Sequence, residues 1–188
     1  MALPKEKRYT YADLLEWEEG RFELYDGEAV ALASPSILHQ RISVEISTQL
    51  ALFLRGKPCQ VFSAPLDVRL FEKAGEPLEF TDTVVQPDIL VVCDPGKLDR
   101  SGVRGAPDLV VEILSPATKY YDKRLKYQLY ERAGVREYWI VDPDTRSVAV
   151  HVLTDGRFGS PDIFAAASKI PVSVLDGCEI DLALVFEE

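Results

Sequence analysis

Hydrophobic and polar residues follow two periods along this chain, which indicates a mixture of helices and strands. Apolar residues at helical spacing predict one helix over 36–55 and a second over 119–133, with Gly134 ending the second. Short apolar runs typical of buried strands occupy three further stretches: 88–92, 108–114 and 136–141. This alternation predicts an α/β (α+β) fold in which helices flank a mixed sheet.

The two ends of the chain carry shorter elements. Thr10, with Asp13 three residues later, predicts a capped helix that ends at Gly20. Asp26-Gly27 predicts the turn of an N-terminal hairpin, and β-rich additions are expected after residue 142. We therefore expect a single domain over 1–188, with its core at about 36–142.

The composition of the chain indicates a globular protein and limits how it could bind nucleic acid. The 188 residues are 47% hydrophobic and 28% charged, as in a globular protein. Neither a signal peptide nor a membrane-spanning run is predicted, so a cytoplasmic location is expected. The chain has three cysteines without CxxC spacing: Cys59, Cys93 and Cys178. Each is expected to be a small buried hydrophobic residue rather than part of a disulfide or a zinc site. The net charge of −10 means that nucleic-acid binding would need a local basic surface.

One carboxylate stands out in the apolar stretch "APDLVVEILSPAT". Burying the charge of Glu112 costs several kcal/mol unless it is paired, protonated or bound to a metal. Asp108 shares its strand face but lies four residues away, about 13 Å at ~3.3 Å per residue, which is too far for a shared ion. A neighbouring strand must supply the partner, and Asp88 in "VVQPDILVV" is the candidate. The alternatives are a turn or capping role for Asp88 and a salt bridge from Glu112 to a helix cation.

A lysine in the second predicted helix extends this group. On a helical wheel Lys126 lies at the edge of the apolar stripe, with Asp122 four residues before it. The two residues form either an ordinary i,i+4 ion pair or a group in which Lys126 lies over the strands, near Glu112 and Asp88. Two carboxylates and a lysine suit phosphodiester hydrolysis assisted by Mg²⁺ or Mn²⁺.

The order of these motifs resembles the PD-(D/E)XK nuclease fold of restriction endonucleases, and more closely its Uma-type family of putative restriction endonucleases. The matching segments run through nearly the whole chain and include "RFELYDGEAV", "QPDILVV", "PDLVVEILSPAT" and "DKRLKYQLYERAGVREYWIVDP". The resemblance implies that Asp88 and Glu112 bind the metal. The lysine of the family's E-x-K signature falls at Leu114, and the resemblance implies that Lys126 replaces it.

Three other residues match family positions. His39 begins the long predicted helix, where a cap or a buried structural histidine is the alternative to a functional role. Glu23 and Asp26 lie in the predicted hairpin, and the turn with Gly27 already accounts for Asp26.

Together these features predict a Mg²⁺-dependent DNA endonuclease, a hydrolase that forms a homodimer or higher homo-oligomer and has no membrane partner. Candidate phosphate contacts lie on the two predicted helices: Arg41, Lys119 and Lys123, with Arg55, Lys57 and Arg124 as further cations. The alternative is a catalytically inactive nuclease-fold protein that binds without cutting, which Leu114 and the acidic net charge favour. A small-molecule hydrolase has little support, since GxSxG, HExxH and P-loop motifs are absent from the sequence.

Overall fold

The structure is a computed structural model that describes residues 7–73, 75–115 and 121–187, except for the side chains of 121–123. Its α-helices are α1 (Tyr11–Leu15), α2 (Ile37–Leu54), α3 (Tyr127–Ala133) and α4 (Leu182–Val185). A π-helical turn, Tyr121–Lys126, leads directly into α3, and 3₁₀ turns cover Leu78–Phe80 and Pro95–Lys97.

The strands fall into an N-terminal, a central and a C-terminal group. The first group is β1 (Phe22–Tyr25), β2 (Glu28–Ala31), β3 (Gln60–Ser63), β4 (Val68–Arg69) and β5 (Val84–Val85). The second is β6 (Ile89–Val92), β7 (Leu98–Asp99), β8 (Gly102–Arg104), β9 (Leu109–Ile113) and β10 (Glu137–Asp142). The third is β11 (Ser147–Thr154), β12 (Arg157–Phe158), β13 (Asp162–Ala165), β14 (Lys169–Pro171) and β15 (Glu179–Asp181).

The larger sheet has the strand order β12-β11-β10-β9-β6-β3, and β13 also pairs with β11. Strand β9 is antiparallel to β6 and parallel to β10. The three buried strands that the sequence predicts are therefore neighbours in one mixed sheet, and the predicted fold class is confirmed.

Helices cover both faces of this sheet. On one face, α2 packs Ile42, Ile46 and Leu50 against alternate strand residues such as Val111. On the other face, Leu129 and Tyr130 of α3 join a second buried cluster. This second cluster contains Val110 and Leu114, so the strand period of two places Glu112 between them on the α3 face.

The smaller sheet has the order β2-β1-β5-β4-β8-β7 and begins with the predicted hairpin. Asp26 and Gly27 have φ values of 47° and 82°, the left-handed pair that a tight two-residue hairpin turn requires. Residue Thr10 caps α1 as predicted, in a reciprocal capping box with Asp13, although the helix ends earlier than Gly20.

The expectation for the cysteines is wrong at two positions. Cys59 and Cys93 form a disulfide, with their Cα atoms 3.9 Å apart. Strands β3 and β6 are antiparallel and pair Gln60 with Val92, so the residues just outside that pair face each other. Cys178 is buried and free as expected, and burial raises the pKa of its thiol to about 11. None of the helices in the described ranges is long and apolar enough to cross a membrane.

Candidate active site

The two predicted metal ligands lie opposite each other on neighbouring strands. Ile89 pairs with Val111 across β6 and β9. Continuing that antiparallel register by one residue places Asp88, just before β6, opposite Glu112. Directly opposed residues point to the same face of a sheet, so the carboxylates start from adjacent positions.

The Asp88 carboxylate is held by the backbone and by a histidine. Its Oδ2 accepts a hydrogen bond from the Ile113 backbone N–H at 2.8 Å and lies 3.1 Å from Nε2 of His39. His39 belongs to the first turn of α2, where its own backbone N–H is capped by Ser36. A capping role was the predicted alternative to metal binding for Asp88. The structure shows this role, because the Asp88 carboxylate accepts a strand backbone N–H. The side chain remains 20% exposed, so this end of the site is accessible to solvent.

The Glu112 carboxylate is buried, with 3% of the residue exposed. Its Oε1 accepts a hydrogen bond from the Lys126 ammonium at 2.9 Å and another from the Tyr130 hydroxyl at 2.6 Å. Lys126 therefore lies over the strands beside Glu112, as one of the two sequence alternatives predicts. These two charge-assisted bonds explain how a carboxylate is tolerated in this strand.

A second carboxylate holds the other side of Lys126. Oε1 of Glu23 in β1 lies 2.9 Å from the Lys126 ammonium and also accepts the Gln86 backbone N–H at 2.8 Å. The Tyr25 hydroxyl donates to the other oxygen of Glu23. Glu23 and Lys126 are 2% and 3% exposed, so Glu23, Lys126 and Glu112 form a buried ionic triad that joins the hairpin, the helix and the sheet.

Burial and the neighbouring carboxylates determine the protonation states of Lys126 and Tyr130. Burial alone would lower the pKa of Lys126, but the adjacent Glu112 and Glu23 carboxylates raise it well above its ordinary 10.5. Burial, and then the negative charge of Glu112, raise the pKa of the Tyr130 hydroxyl. Lys126 is thus a fixed cation and Tyr130 a fixed neutral donor, and neither is suited to act as a general base near neutral pH.

The helix that carries Lys126 has an irregular start. The turn Tyr121–Lys126 is π-helical, and regular α-helix begins at Tyr127. Lys126 is the last residue of the wide turn and Tyr130 follows one α-turn later, so both side chains reach the same carboxylate. Single π-turns occur often at functional sites.

Other predicted residues lie elsewhere or outside the described part. Asp108 is at the far end of β9, where it accepts the Cys93 backbone N–H at 2.8 Å and pairs with Arg136 at 3.2 Å, so its role is structural. Arg41 donates to the backbone carbonyl of Glu187 at 2.5 Å. The predicted contact Lys119 and the side chains of Asp122 and Lys123 lie outside the described residues.

Tyr25 and Tyr130 have no predicted role from the sequence, and Glu23 matches a family position without a predicted role. A signal existed for Tyr130, because it lies one helical turn after Lys126 and so on the same face. For Glu23 and Tyr25 the signal is weaker: they alternate with apolar Phe22 and Leu24 in a predicted strand.

Comparison with known proteins assigns the family. The profile of the Uma2 family, described as "Putative restriction endonuclease", matches residues 10–183. This chain belongs to the Uma2 family.

Relatives of this Uma2 protein come from Synechocystis sp. (strain ATCC 27184 / PCC 6803 / Kazusa). Uncharacterized protein slr1290 is 33% identical over 147 residues, covering 76% of this chain and 73% of that protein. Uncharacterized protein sll1609 is 26% identical over 148 residues, covering 76% of this chain and 79% of that protein.

A solved structure shares the fold of this Uma2 protein. The crystal structure of a putative nuclease belonging to DUF820 from Anabaena variabilis ATCC 29413 superposes with a TM-score of 0.74 at 20% identity. The superposition covers 95% of this chain and 97% of that chain.

The donor set of the Uma2 site is suited to a metal that takes few protein ligands. Among the side chains that the structure describes, those of 7–73, 75–115 and 124–187, no three of His, Cys, Asp or Glu lie close enough together to hold an ion by themselves. Mg²⁺ is commonly held by one or two carboxylates and completed by water and substrate phosphate, whereas structural Zn²⁺ takes four protein ligands. Asp88 and Glu112 match the first pattern in residue type, and His39 gives Asp88 the kind of hydrogen bond that orients carboxylates in metal sites.

Proposed function

We propose that this Uma2 protein is a metal-dependent endonuclease that hydrolyses phosphodiester bonds in DNA, with Asp88 and Glu112 holding Mg²⁺ or Mn²⁺. The observation that carries the proposal is the opposition of these two carboxylates on neighbouring strands, with Lys126 2.9 Å from one of them. Formally the group of Asp88, Glu112, Glu23 and Lys126 carries three negative charges and one positive, an excess that a divalent cation neutralises.

Each residue has a definable task in this chemistry. When bound, the metal supplies Lewis-acid stabilisation of the phosphate and acidifies the attacking water. His39 and the Ile113 N–H hold the Asp88 carboxylate in place, and Tyr130 does the same for Glu112. Lys126 keeps its proton and places a positive charge beside the site, where it stabilises negative charge that develops on the phosphate.

In this proposal Lys126 takes the place of the signature lysine that is missing at Leu114. Leu114 is 6% exposed and belongs to the apolar cluster on the α3 face. A lysine at position 114 would lose the apolar contacts that Leu114 makes in this cluster. Lys126 instead reaches Glu112 from the helix that covers this face, so it supplies the ammonium that the strand lacks.

The second candidate is a nuclease-fold protein that binds without cutting. The observation that favours it is the burial of Lys126 between Glu23 and Glu112, since a triad of this kind also occurs as a purely structural ion cluster. The net charge of −10 favours it as well.

Metal binding tests the proposed site. Isothermal titration with Mn²⁺ should detect binding to the wild type and at least about tenfold weaker binding to Asp88→Asn. The amide keeps the size of the side chain and can still accept the Ile113 N–H, so the fold should be retained. Asp108→Asn is the matched control, because Asp108 is also bonded to a backbone N–H but lies at the far end of β9. Equal Mn²⁺ affinity in Asp88→Asn and the wild type would remove Asp88 from the site.

DNA as the substrate and a homodimer as the working form belong to the same proposal. Two copies related by a two-fold axis present two identical sites to the two strands of a duplex. Light scattering with and without a DNA duplex measures both the oligomeric state and the complex.

A further inference from the structure

A groove, here called the α2–β3 groove, begins at the candidate site and runs along α2. Asp88 and His39 line one end and Ala51 lines the other, and its volume is about 330 Å³. Its other wall contains Ser63 and Ala64, at the end of β3, the edge strand of the larger sheet. Because Asp88 is part of the lining, a strand whose phosphate lies at Asp88 has this groove directly beside it.

Successive turns of α2 present small hydroxyl side chains to the groove. His39, Ser43 and Ser47 follow one another at intervals of four residues, so they lie on one face of the helix. At 1.5 Å per residue, Ser43 and Ser47 are about 6 and 12 Å from His39 along the helix axis. A strand that enters the groove at Asp88 therefore passes both serines.

Ser43 has a buried hydroxyl that calls for a partner. The residue is 8% exposed, and its hydroxyl makes no hydrogen bond to the part of the chain that the structure describes. Buried hydroxyl groups in proteins are nearly always hydrogen-bonded, to protein, to ordered water or to a ligand. The Ser43 hydroxyl is therefore available to a group that occupies the groove.

A pair of serines across the groove supplies a second donor. The hydroxyl oxygens of Ser47 and Ser63 are 2.9 Å apart. One proton lies between them, so whichever serine donates, the other keeps its own O–H for a further acceptor. The Thr48 hydroxyl is not such a donor, because it already donates to the Val44 backbone carbonyl.

The backbone of β3 adds a third donor. The Ala64 N–H bonds to the Asp88 carbonyl, so in this antiparallel ladder the Ser63 N–H faces away from β6. Within the described ranges, β6 is the only strand that pairs with β3. The Ser63 N–H can therefore donate to a ligand at the rim of the groove.

The rest of the described lining includes small apolar surface. Val44 is 61% exposed, and Ala51 and Ala64 extend this surface along the groove. Phosphate oxygens accept hydrogen bonds from serine hydroxyls and backbone N–H groups, and such contacts position a strand without reading its bases. Neutral donors beside small apolar side chains thus suit the alternating phosphates and sugars of a nucleic-acid backbone.

We propose that the α2–β3 groove binds the sugar–phosphate backbone of the substrate strand next to the cleaved bond, with Ser43, Ser47 and Ser63 donating to its phosphate oxygens. The inference rests on the proposed function, because this strand is the one whose phosphate lies at Asp88. Backbone contacts make the grip on the strand independent of base sequence. Since none of the three serines is a cation, they add affinity without adding to its salt dependence.

Removing one donor tests the contact. Fluorescence anisotropy measures binding of a labelled thymidine strand of about eight nucleotides, in EDTA so that metal-dependent cleavage does not occur. Ser43→Ala should weaken binding about fivefold, the effect of one lost hydrogen bond, with the salt dependence of the wild type. Ser160→Ala is the matched control, since Ser160 is exposed and lies between β12 and β13, away from β3 in the strand order. Wild-type affinity in Ser43→Ala, or a changed salt dependence, would overturn the proposal.

A strand without bases shows which part of the nucleotide lies in the groove. An abasic strand of the same length keeps the phosphates and sugars, so Ser43→Ala should weaken its binding by the same factor. An effect of Ser43→Ala on the thymidine strand alone would show that bases occupy the groove, and would overturn the proposal.

Blocking the groove gives a larger effect from an exposed position. Thr48→Trp places an indole in the groove and should weaken binding of the thymidine strand at least about tenfold, because more than one hydrogen bond is lost. Thr154→Trp is the matched control: Thr154 is also exposed but lies at the end of β11. Equal affinity in folded Thr48→Trp and Thr154→Trp would overturn the proposal.

Cleavage assays separate this inference from the proposed function. If strands bind through Ser43 and none is cut with Mg²⁺ or Mn²⁺, the groove proposal stands and the nuclease proposal fails. If cleavage depends on Asp88 while Ser43→Ala and Thr48→Trp keep the wild-type KM, the groove proposal fails.

Discussion

At the scale of single residues, the central feature is a carboxylate in an apolar strand with a fixed partner. Glu112 is held by Lys126 and Tyr130, and Lys126 is also held by Glu23. Such a group is costly to assemble but more costly to break, since removing one partner leaves an uncompensated buried charge.

Lys126→Met should therefore lower the free energy of unfolding by about 3–5 kcal/mol, because it leaves two buried carboxylates without their cation. Urea denaturation measures the change. Lys169→Met is the matched control: Lys169 is exposed and lies 4.0 Å from Asp181, and loss of such a surface pair costs about 1 kcal/mol or less. Similar losses in both variants would show that Lys126 is not the buried cation described here. Nuclease assays on Lys126→Met must use temperatures at which the variant is folded.

At the scale of elements, the triad joins the N-terminal hairpin to the helix over the sheet. Glu23 comes from β1, Lys126 from the π-turn before α3, and Glu112 from β9. The same contact carries two tyrosines, Tyr25 and Tyr130, whose pKa values are raised, chiefly by burial. The packing of the hairpin against the helix therefore depends on both tyrosine hydroxyls keeping their protons in the folded state.

Alkaline pH should weaken this junction. The unfolded chain loses the protons of Tyr130 and Lys126 near their ordinary pKa values of 10.0 and 10.5, whereas the folded chain holds them to higher pH. The folded state then binds more protons, so their contribution to stability is complete below about pH 10 and is lost as pH rises further. Urea denaturation from about pH 9 to pH 11 should show this decline, with a shallower slope for Tyr130→Phe. The same slope in the variant would contradict the assignment for Tyr130.

The disulfide is a second link between elements, joining the start of β3 to the end of β6. It closes a loop with a sequence separation of 34 residues. In the chain-entropy account a cross-link of this length contributes about 3–4 kcal/mol. Dithiothreitol should therefore lower the free energy of unfolding of the wild type and leave a Cys59→Ser, Cys93→Ser double variant unchanged. No effect of dithiothreitol on the wild type would show that the bond does not stabilise the folded chain.

Across the whole molecule, the periods of hydrophobic and polar residues predicted the buried strands and the residues that meet on them. The strand period placed Glu112 in a buried strand, and the need for a partner from a neighbouring strand pointed to Asp88. Their opposition follows from the β6–β9 register. The helical wheel left two alternatives for Lys126, and the structure shows its ammonium buried beside Glu112, while the side chain of Asp122 lies outside the described residues.

What depends on long-range packing could not be predicted. Glu23 reaches Lys126 only because the hairpin docks against α3, and no short-range pattern encodes that contact. The Cys59–Cys93 pairing requires the antiparallel register of β3 and β6, which sequence spacing does not reveal. The π-turn before α3 also changes the angular spacing that a 3.6-residue wheel assumes.

Cleavage of DNA with Mg²⁺ or Mn²⁺ by the wild type, Glu112→Gln and Asp108→Asn tests whether Glu112 belongs to a metal-dependent nuclease site. Plasmid and single-stranded oligonucleotide serve as substrates, and thermal unfolding confirms that each variant is folded. We predict metal-dependent cleavage by the wild type and Asp108→Asn, and a rate at least about a hundredfold lower for Glu112→Gln, as for loss of one electrostatic group at a catalytic site. Cleavage by folded Glu112→Gln at the wild-type rate would exclude Glu112 from the site, and no cleavage by the wild type with either metal would exclude the proposed nuclease activity.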